Sequence, residues 1–204
     1  MNRNQVTTRK LLNMKQQKKP IVMVTAYDFP TAKIVDGASV DIILVGDSLG
    51  MVVLGYESTI YVTMEDMLHH TKAVTRGVRE AMVVADIPFG VAHLSKDEIL
   101  RASTCLMQEG KAYGVKVEGG PEVAENIHAL TNAGIPVMGH LGLTPQSVNQ
   151  LGGYFIQGKE KLAAQALVKN AQQLESVGVF SIVLECVPEE LAAMVTEVVS
   201  IPVI

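Results

Sequence analysis

Short apolar runs alternate with longer amphipathic segments along the whole of this 204-residue chain. The runs are rich in Val and Ile and almost free of polar residues, which predicts β-strands that are buried on both faces. Seven such strands are expected, over residues 21–26, 42–46, 81–85, 114–117, 136–138, 180–184 and 201–204. Between them, Thr63 with Asp66 and Ser95 with Glu98 have the capping-box spacing that starts a helix.

The strand–helix alternation predicts a parallel sheet, either doubly wound or closed into a (β/α)8 TIM-type barrel. No G-x-G-x-x-G motif follows the first strand, which disfavours a dinucleotide-binding fold. Residues 159–177 predict a long amphipathic helix with Leu162, Ala166 and Leu174 on its buried stripe. We expect an N-terminal basic helical segment over residues 1–20 and a single barrel domain over residues 21–204.

Composition narrows the class of protein. With 48% apolar and 19% charged residues, the chain is expected to fold around one core, and disorder is excluded. No window approaches the ~18 apolar residues of a membrane span, so no membrane association is expected. The two cysteines, Cys105 and Cys186, cannot form a disulfide framework and suit a reducing compartment, so we expect a cytoplasmic protein with both thiols buried.

Charge is distributed unevenly. The first 20 residues contain six of the 17 basic residues and no acidic one, whereas the remainder has 11 basic and 21 acidic residues. An acidic body argues against a nucleic-acid partner. Thr7 and Thr8 precede Leu11 and Leu12, which favours a short capped N-terminal helix; a targeting segment or an anion-binding arm is the alternative.

Ionisable residues follow five successive predicted strands. In a barrel or an open α/β sheet the carboxyl ends of the strands form the active-site face, so these side chains are expected to meet there. Lys116 and Glu118 are two residues apart and therefore point to the same face. The residues at the strand exits are Asp47, Asp86, Glu118, His140 and Glu185.

Three of these acids suggest a metal site. Asp47, Asp86 and Glu118 at one mouth would repel each other unless they shared protons or bound a cation. A ligand set of oxygen atoms alone selects Mg²⁺ over zinc. Helix capping or ordinary ion pairing is the alternative role for each acid.

Each of the remaining polar residues has more than one possible role. Glu185 could accept a proton from a bound substrate, or pair with a basic residue. Lys116 could neutralise a substrate carboxylate or balance the acids, and His140 could bind substrate, tune a ligand or lie in the core. The long apolar connection over residues 49–62 suggests a lid or a subunit contact.

Six motifs in order resemble the ketopantoate (3-methyl-2-oxobutanoate) hydroxymethyltransferase family. They are residues 24–28 (VTAYD), 45–51 (VGDSLGM), 85–89 (ADIPF), 115–120 (VKVEGG), 139–146 (GHLGLTPQ) and 184–188 (LECVP). The resemblance implies a Mg²⁺-dependent (β/α)8 barrel of pantothenate biosynthesis, usually a homo-oligomer. The implied reaction moves a hydroxymethyl group from 5,10-methylenetetrahydrofolate to 3-methyl-2-oxobutanoate through a Mg²⁺-stabilised enolate, giving 2-dehydropantoate.

The resemblance also implies residue roles. Asp47, Asp86 and Glu118 would hold Mg²⁺. Ser48 and Lys116, together with Asp47 and Asp86, would contact the keto acid, and Glu185 would accept the proton. These roles agree with those expected from the strand exits, which had left the substrate open.

Two features depart from the family pattern. Phe155 stands where a basic residue is expected, in a loop that could touch the folate or a neighbouring subunit. The barrel is expected to be truncated after its seventh strand, which leaves a non-catalytic fragment or structural subunit as an alternative. A second alternative is another Mg²⁺-enolate barrel of the phosphoenolpyruvate mutase/isocitrate lyase type, although no cysteine is suitably placed for the lyase.

Overall fold

Six parallel strands form one sheet in the computed structural model, which describes residues 5–204. Arg3 of the predicted basic segment lies outside the described residues. The strands lie side by side in chain order and curl into half of a barrel. They are β1 (Met23–Thr25), β2 (Ile42–Val45), β3 (Met82–Asp86), β4 (Gly114–Glu118), β5 (Val137–Gly142) and β6 (Ser181–Glu185).

The seventh predicted strand is reduced to a single bridge beside β6. Val203 pairs with Ile182 in parallel, and the Ile182 N–H donates to the Pro202 carbonyl at 3.0 Å. The Ile204 N–H donates to the Ile182 carbonyl and the Leu184 N–H donates to the Ile204 carbonyl, both at 2.9 Å. The expectation of a full strand over residues 201–204 is thus corrected to a bridge.

Helices connect the strands, and three-residue 3-10 turns extend several connections. Both expected capping boxes are formed, at Thr63 with Asp66 and at Ser95 with Glu98. The expected N-terminal helix begins after Thr7, whose hydroxyl accepts the Lys10 N–H. The helices are α1 (Thr8–Gln16), α2 (Phe29–Gly37), α3 (Leu49–Val52), α4 (Met64–Gly77), α5 (Lys96–Gln108), α6 (Ala124–Asn132), α7 (Val148–Leu151), α8 (Lys161–Ser176) and α9 (Glu189–Val198).

The buried stripe of α8 differs from the prediction. Leu167, Ala171 and Leu174 are buried, whereas Leu162 is 80% exposed and Ala166 is also exposed. At 100° per residue, the observed stripe is rotated by roughly a quarter turn from the predicted one. The sheet covers only this side of α8, and sequence periodicity could not distinguish it from the neighbouring stripe.

The two faces of the sheet are covered differently. The outer face packs against α2, α4, α5, α6, α8 and α9 and forms the larger core. On the opposite, inner face, the amino-terminal half of the sheet is apolar, and Val6 together with Leu11 of α1 covers it. The inner-face residues of this second core include Ile42, Leu44, Met82, Val84 and Met138. Within residues 5–204, no helix is both long and apolar enough to cross a membrane.

Candidate functional site

The carboxyl-terminal half of the inner face is polar. Strand alternation places Asp86, Lys116, Glu118 and His140 on this face, and all four are buried. Parallel register sets Asp86 beside Lys116 and Glu118 beside His140, while Glu185 ends β6 beside Gly142 on β5. The structure therefore brings together the side chains that the strand exits predicted would meet.

Lys116 lies at the centre of this polar group. Its Nζ is 3.0 Å from Asp86 Oδ1, 3.9 Å from Glu118 Oε1 and 3.1 Å from His140 Nδ1. Burial lowers the pKa of Lys116, but the charges of Asp86, Glu118 and Asp47 outweigh burial and raise it well above its usual value. Lys116 is therefore a permanent cation that balances buried acids, which is one of the two roles expected for it.

Asp47 and Asp86 form a crowded acidic pair. Asp47 follows β2, and its backbone N–H donates to Asp86 Oδ2 at 3.0 Å. Burial and then the Asp86 charge raise the pKa of Asp47 to about 7. Burial also raises the pKa of Asp86, with Lys116 acting in the opposite direction. The two acids hold more negative charge than their surroundings compensate.

Glu118 is the well-compensated acid of the group. Its Oε2 accepts the Gln146 backbone N–H at 3.1 Å, and its Oε1 lies 3.3 Å from His140 Nδ1. Burial alone would raise the pKa of Glu118, but His140 and Lys116 lower it below its usual value. Glu118 is therefore ionised at neutral pH.

His140 connects the buried acids to Glu185. Its Nε2 lies 3.3 Å from Glu185 Oε2, without the alignment of a hydrogen bond. Nδ1 lies 3.1 Å from the Lys116 ammonium and 3.3 Å from Glu118 Oε1, whereas Nε2 faces Glu185. Burial and Lys116 oppose protonation, but Glu118 and Glu185 outweigh them and raise the pKa of His140. The Glu185 side chain is 40% exposed, so a substrate can reach it.

The loops at the mouth complete the site. Ser48 is half-buried at the start of α3, and its hydroxyl does not cap that helix. The connection over residues 49–62 contains α3 and a 3-10 turn at Thr59–Tyr61. The Tyr154 hydroxyl lies 3.9 Å from Met51 Sδ, so this connection faces the loop that contains the exposed Phe155.

The donor chemistry at the mouth fits a hard divalent cation. Asp47 and Asp86 are neighbouring buried carboxylates with raised pKa values, and a cation would relieve their repulsion. Across residues 5–204, however, no three His, Cys, Asp or Glu side chains lie in the arrangement of a metal site. Glu118 Oε2 accepts the Gln146 N–H, and Glu118 Oε1 faces His140 Nδ1 at 3.3 Å. The assignment of all three acids to Mg²⁺ stays a prediction.

Sequence reasoning missed two residues of the site. Gln146 Nε2 donates to Asp47 Oδ2 at 2.8 Å, a contact between residues 99 positions apart that no local pattern reveals. Tyr27 is half-buried, and burial together with the Asp86 and Asp47 charges raises the pKa of its phenol. Tyr27 follows β1, so the strand-exit rule used for the acids could have found it.

The cysteine prediction was wrong for Cys186, which is exposed, and Cys105 is half-buried. The backbone of Cys186 has a φ of 48°, in the left-handed region. The chain thus leaves the strand geometry immediately after Glu185, and the alternation that predicted a buried thiol no longer applies.

Comparison with solved structures defines the fold class. The chain superposes on phosphonopyruvate hydrolase, solved with oxalate and Mg²⁺, with a TM-score of 0.71, 17% identity, and coverage of 97% of this chain and 71% of the other. A putative phosphonomutase from Burkholderia cenocepacia gives a TM-score of 0.75 at 13% identity, covering 96% of this chain and 82% of the other. A 2,3-dimethylmalate lyase of the phosphoenolpyruvate mutase/isocitrate lyase superfamily gives a TM-score of 0.68 at 15% identity, covering 97% of this chain and 69% of the other. The fold is therefore the barrel type of that superfamily.

Sequence comparison identifies the family within this fold class. The model of the ketopantoate hydroxymethyltransferase family matches residues 5–204, and the chain belongs to that family. A 3-methyl-2-oxobutanoate hydroxymethyltransferase of Dehalococcoides mccartyi is 59% identical over 198 residues, covering 97% of this chain and 70% of the relative. A 3-methyl-2-oxobutanoate hydroxymethyltransferase of Thermoanaerobacter sp. is 56% identical over 199 residues, covering 98% of this chain and 73% of the relative. Membership decides against the mutase/lyase alternative, which shares the fold.

Proposed function

We propose that this protein is a transferase that moves a hydroxymethyl group from 5,10-methylenetetrahydrofolate to 3-methyl-2-oxobutanoate, giving 2-dehydropantoate. Family membership supports the reaction class. The observation that carries the proposal is the placement of Glu185, a reachable carboxylate, beside a buried group of three acids and one lysine at the same mouth. Such a site can bind a small anionic keto acid and remove a proton from it.

Glu185 is the proton acceptor in this proposal. It removes the proton from C3 of the keto acid, and the C–H electron pair becomes the enolate. His140 Nε2 lies 3.3 Å from Glu185 Oε2 and faces the carboxylate that accepts the proton. The Ser48 hydroxyl, which does not cap α3, and the Lys116 ammonium bind the oxygens of the keto acid, where negative charge increases during the step.

Asp47 and Asp86 would hold Mg²⁺, with Glu118 as the third ligand. When bound, Mg²⁺ supplies Lewis-acid polarisation of the keto group and compensates the charge of the enolate. The chain contributes the crowded carboxylates that favour a divalent cation, together with Lys116, which keeps Asp86 from remaining an isolated buried anion.

Carbon–carbon bond formation completes the reaction. The C3 enolate bonds to the one-carbon unit, both bonds from that carbon to the folate nitrogens N5 and N10 break, and one water supplies the hydroxyl group. The other proton of that water and the proton taken up by Glu185 go to the two nitrogens. Tetrahydrofolate leaves. The folate is the part of the proposal that rests on family membership rather than on a located binding site.

The test separates the first half of the reaction from the second. Protein in D₂O with Mg²⁺ and 3-methyl-2-oxobutanoate is expected to exchange the C3 proton, which is followed by proton NMR. Glu185→Gln is expected to slow exchange by roughly 100-fold or more, because it removes the general base. Glu190→Gln, the same change on the exposed surface of α9, serves as the matched control.

Three outcomes would contradict the proposal. Exchange in excess chelator would exclude the metal role, and unchanged exchange in Glu185→Gln would exclude the assigned base. A wild-type chain that neither binds Mg²⁺ nor exchanges the proton would favour the non-catalytic alternative. Adding 5,10-methylenetetrahydrofolate and detecting 2-dehydropantoate by mass spectrometry tests the second half.

Four wider expectations belong to the same proposal. We propose that residues 21–204 form a single domain of the barrel type and that residues 1–20 form a basic N-terminal segment. The in-order parallel sheet supports the barrel. Exposed apolar side chains such as Ile34 and Val52 support assembly as a homo-oligomer. The metabolic reaction supports a place in the cytoplasm.

A further inference from the structure

We propose that Gln146 is a positioning residue, which fixes the carboxylates of Asp47 and Glu118 so that they can receive a divalent cation. This inference rests on the proposed function, because it assigns Gln146 a part in the same metal-dependent site. Gln146 would contact neither the substrate nor the reacting atoms in this role.

Gln146 joins the exits of four strands. It lies in the 3-10 turn Pro145–Ser147 that follows β5, and it is 8% exposed. Its Nε2 donates to Asp47 Oδ2 at 2.8 Å, after β2, and to the Ile87 carbonyl at 2.9 Å, after β3. Its backbone N–H donates to Glu118 Oε2, at the end of β4, at 3.1 Å.

The orientation of the Gln146 amide is determined by its neighbours. The Ile87 carbonyl can only accept, so the nitrogen and not the oxygen of the amide must face it. The same nitrogen then donates to Asp47 Oδ2. Reversing the amide would set two acceptors against each other, so one arrangement is strongly preferred.

A neutral donor suits this position better than a basic side chain. Lys116 already supplies a cation to Asp86 and Glu118. A second cation beside Asp47 would compete with a metal ion for the same charge, whereas an amide holds one oxygen of Asp47 by a hydrogen bond and leaves the negative charge uncompensated. Gln146 thus fixes the rotamer of the carboxylate while keeping it attractive to a cation.

The test measures Mg²⁺ binding directly. Gln146→Met preserves the length of the side chain and the backbone N–H to Glu118, but removes both amide hydrogen bonds. The dissociation constant for Mg²⁺, measured by isothermal titration calorimetry without substrate, is expected to rise roughly 10- to 100-fold, as for other groups that orient metal ligands. The Mg²⁺ concentration for half-maximal C3-proton exchange is expected to rise in parallel, while exchange at saturating Mg²⁺ falls less.

Asn126→Leu is the matched control. The Asn126 amide on α6 also makes two hydrogen bonds, to the Ala92 and Leu94 carbonyls, both at 2.9 Å. It lies outside the site, so Asn126→Leu is expected to lower stability without changing the affinity for Mg²⁺. If Gln146→Met does not fold, Gln146→Leu provides the second test, because it also removes the donor and adds no charge that could itself attract Mg²⁺.

The outcomes distinguish this inference from the proposed function. Mg²⁺ affinity that stays unchanged in a folded Gln146 variant, or falls equally in Asn126→Leu, overturns the positioning role while the wild-type reaction stands. A wild-type protein without Mg²⁺-dependent exchange refutes the proposed function, and the positioning role with it. A space-filling role for Gln146 would leave Mg²⁺ affinity intact in both variants.

Discussion

The raised pKa of Asp47 predicts that the protein without divalent cations loses stability as the pH rises from 5 to 8. Below about pH 7 the folded state keeps a proton on Asp47, whose pKa is about 7, while the unfolded state has released it at a pKa near 3.8. The folded state thus binds more protons than the unfolded state, and the free energy of unfolding must fall with increasing pH.

The size of this effect follows from the pKa difference. The imbalance falls from about one proton at pH 5 to about half a proton at pH 7, and one proton is worth about 1.4 kcal/mol per pH unit, so Asp47 accounts for a loss of about 3 kcal/mol between pH 5 and pH 8. Asp47 is 2% exposed, so solvent screening reduces the figure little. His140, whose pKa is also raised, loses its contribution in the same direction. Glu118, with a lowered pKa, stays ionised above pH 5.

Urea unfolding followed by circular dichroism, at pH 5 and pH 8 with a chelator, measures the loss. Asp47→Asn preserves the shape and removes the titrating group, so its loss is expected to be smaller by about 3 kcal/mol. Mg²⁺ is expected to stabilise the wild-type protein more at pH 8 than at pH 5, since the cation competes with the proton. Identical pH dependence in the wild type and Asp47→Asn would refute the reasoning.

Two further substitutions test other contacts of the site. Lys116→Met is expected to destabilise the protein by about 3 kcal/mol at pH 8 in urea unfolding, and by less at pH 5, where Asp86 can take up a proton; a small loss that is equal at both pH values would contradict this. Gly142→Ala is expected to slow C3-proton exchange, because its new Cβ would collide with the Glu185 carbonyl. Gly134 has a similar positive φ but open space around it, so the Gly134→Ala protein is expected to exchange the C3 proton at the normal rate. Equal slowing in both variants would exclude displacement of Glu185 as the cause.

Local signals explain which parts of the structure the sequence could predict. Strands β2 to β4 were predicted within one residue at either end, because continuous apolar runs identify buried parallel strands. The convergence of Asp86, Glu118 and Glu185 followed from the carboxyl-end rule alone. By contrast, the Lys116–Asp86 ion pair and the bridge from Gln146 depend on register and side-chain reach between distant residues, which periodicity does not contain.

The division of the inner face has a consequence for how this barrel can change its chemistry. The amino-terminal half, with Met82, Val84 and Met138 packed near α1, determines whether the curled sheet holds together. The carboxyl-terminal half of the same strands, with Asp86 and Lys116, determines what is bound. Volume-conserving substitutions in the amino-terminal half and polar substitutions in the carboxyl-terminal half can therefore accumulate almost independently. Such a scaffold can acquire a new substrate without first losing its fold, which makes it a suitable starting point for directed evolution.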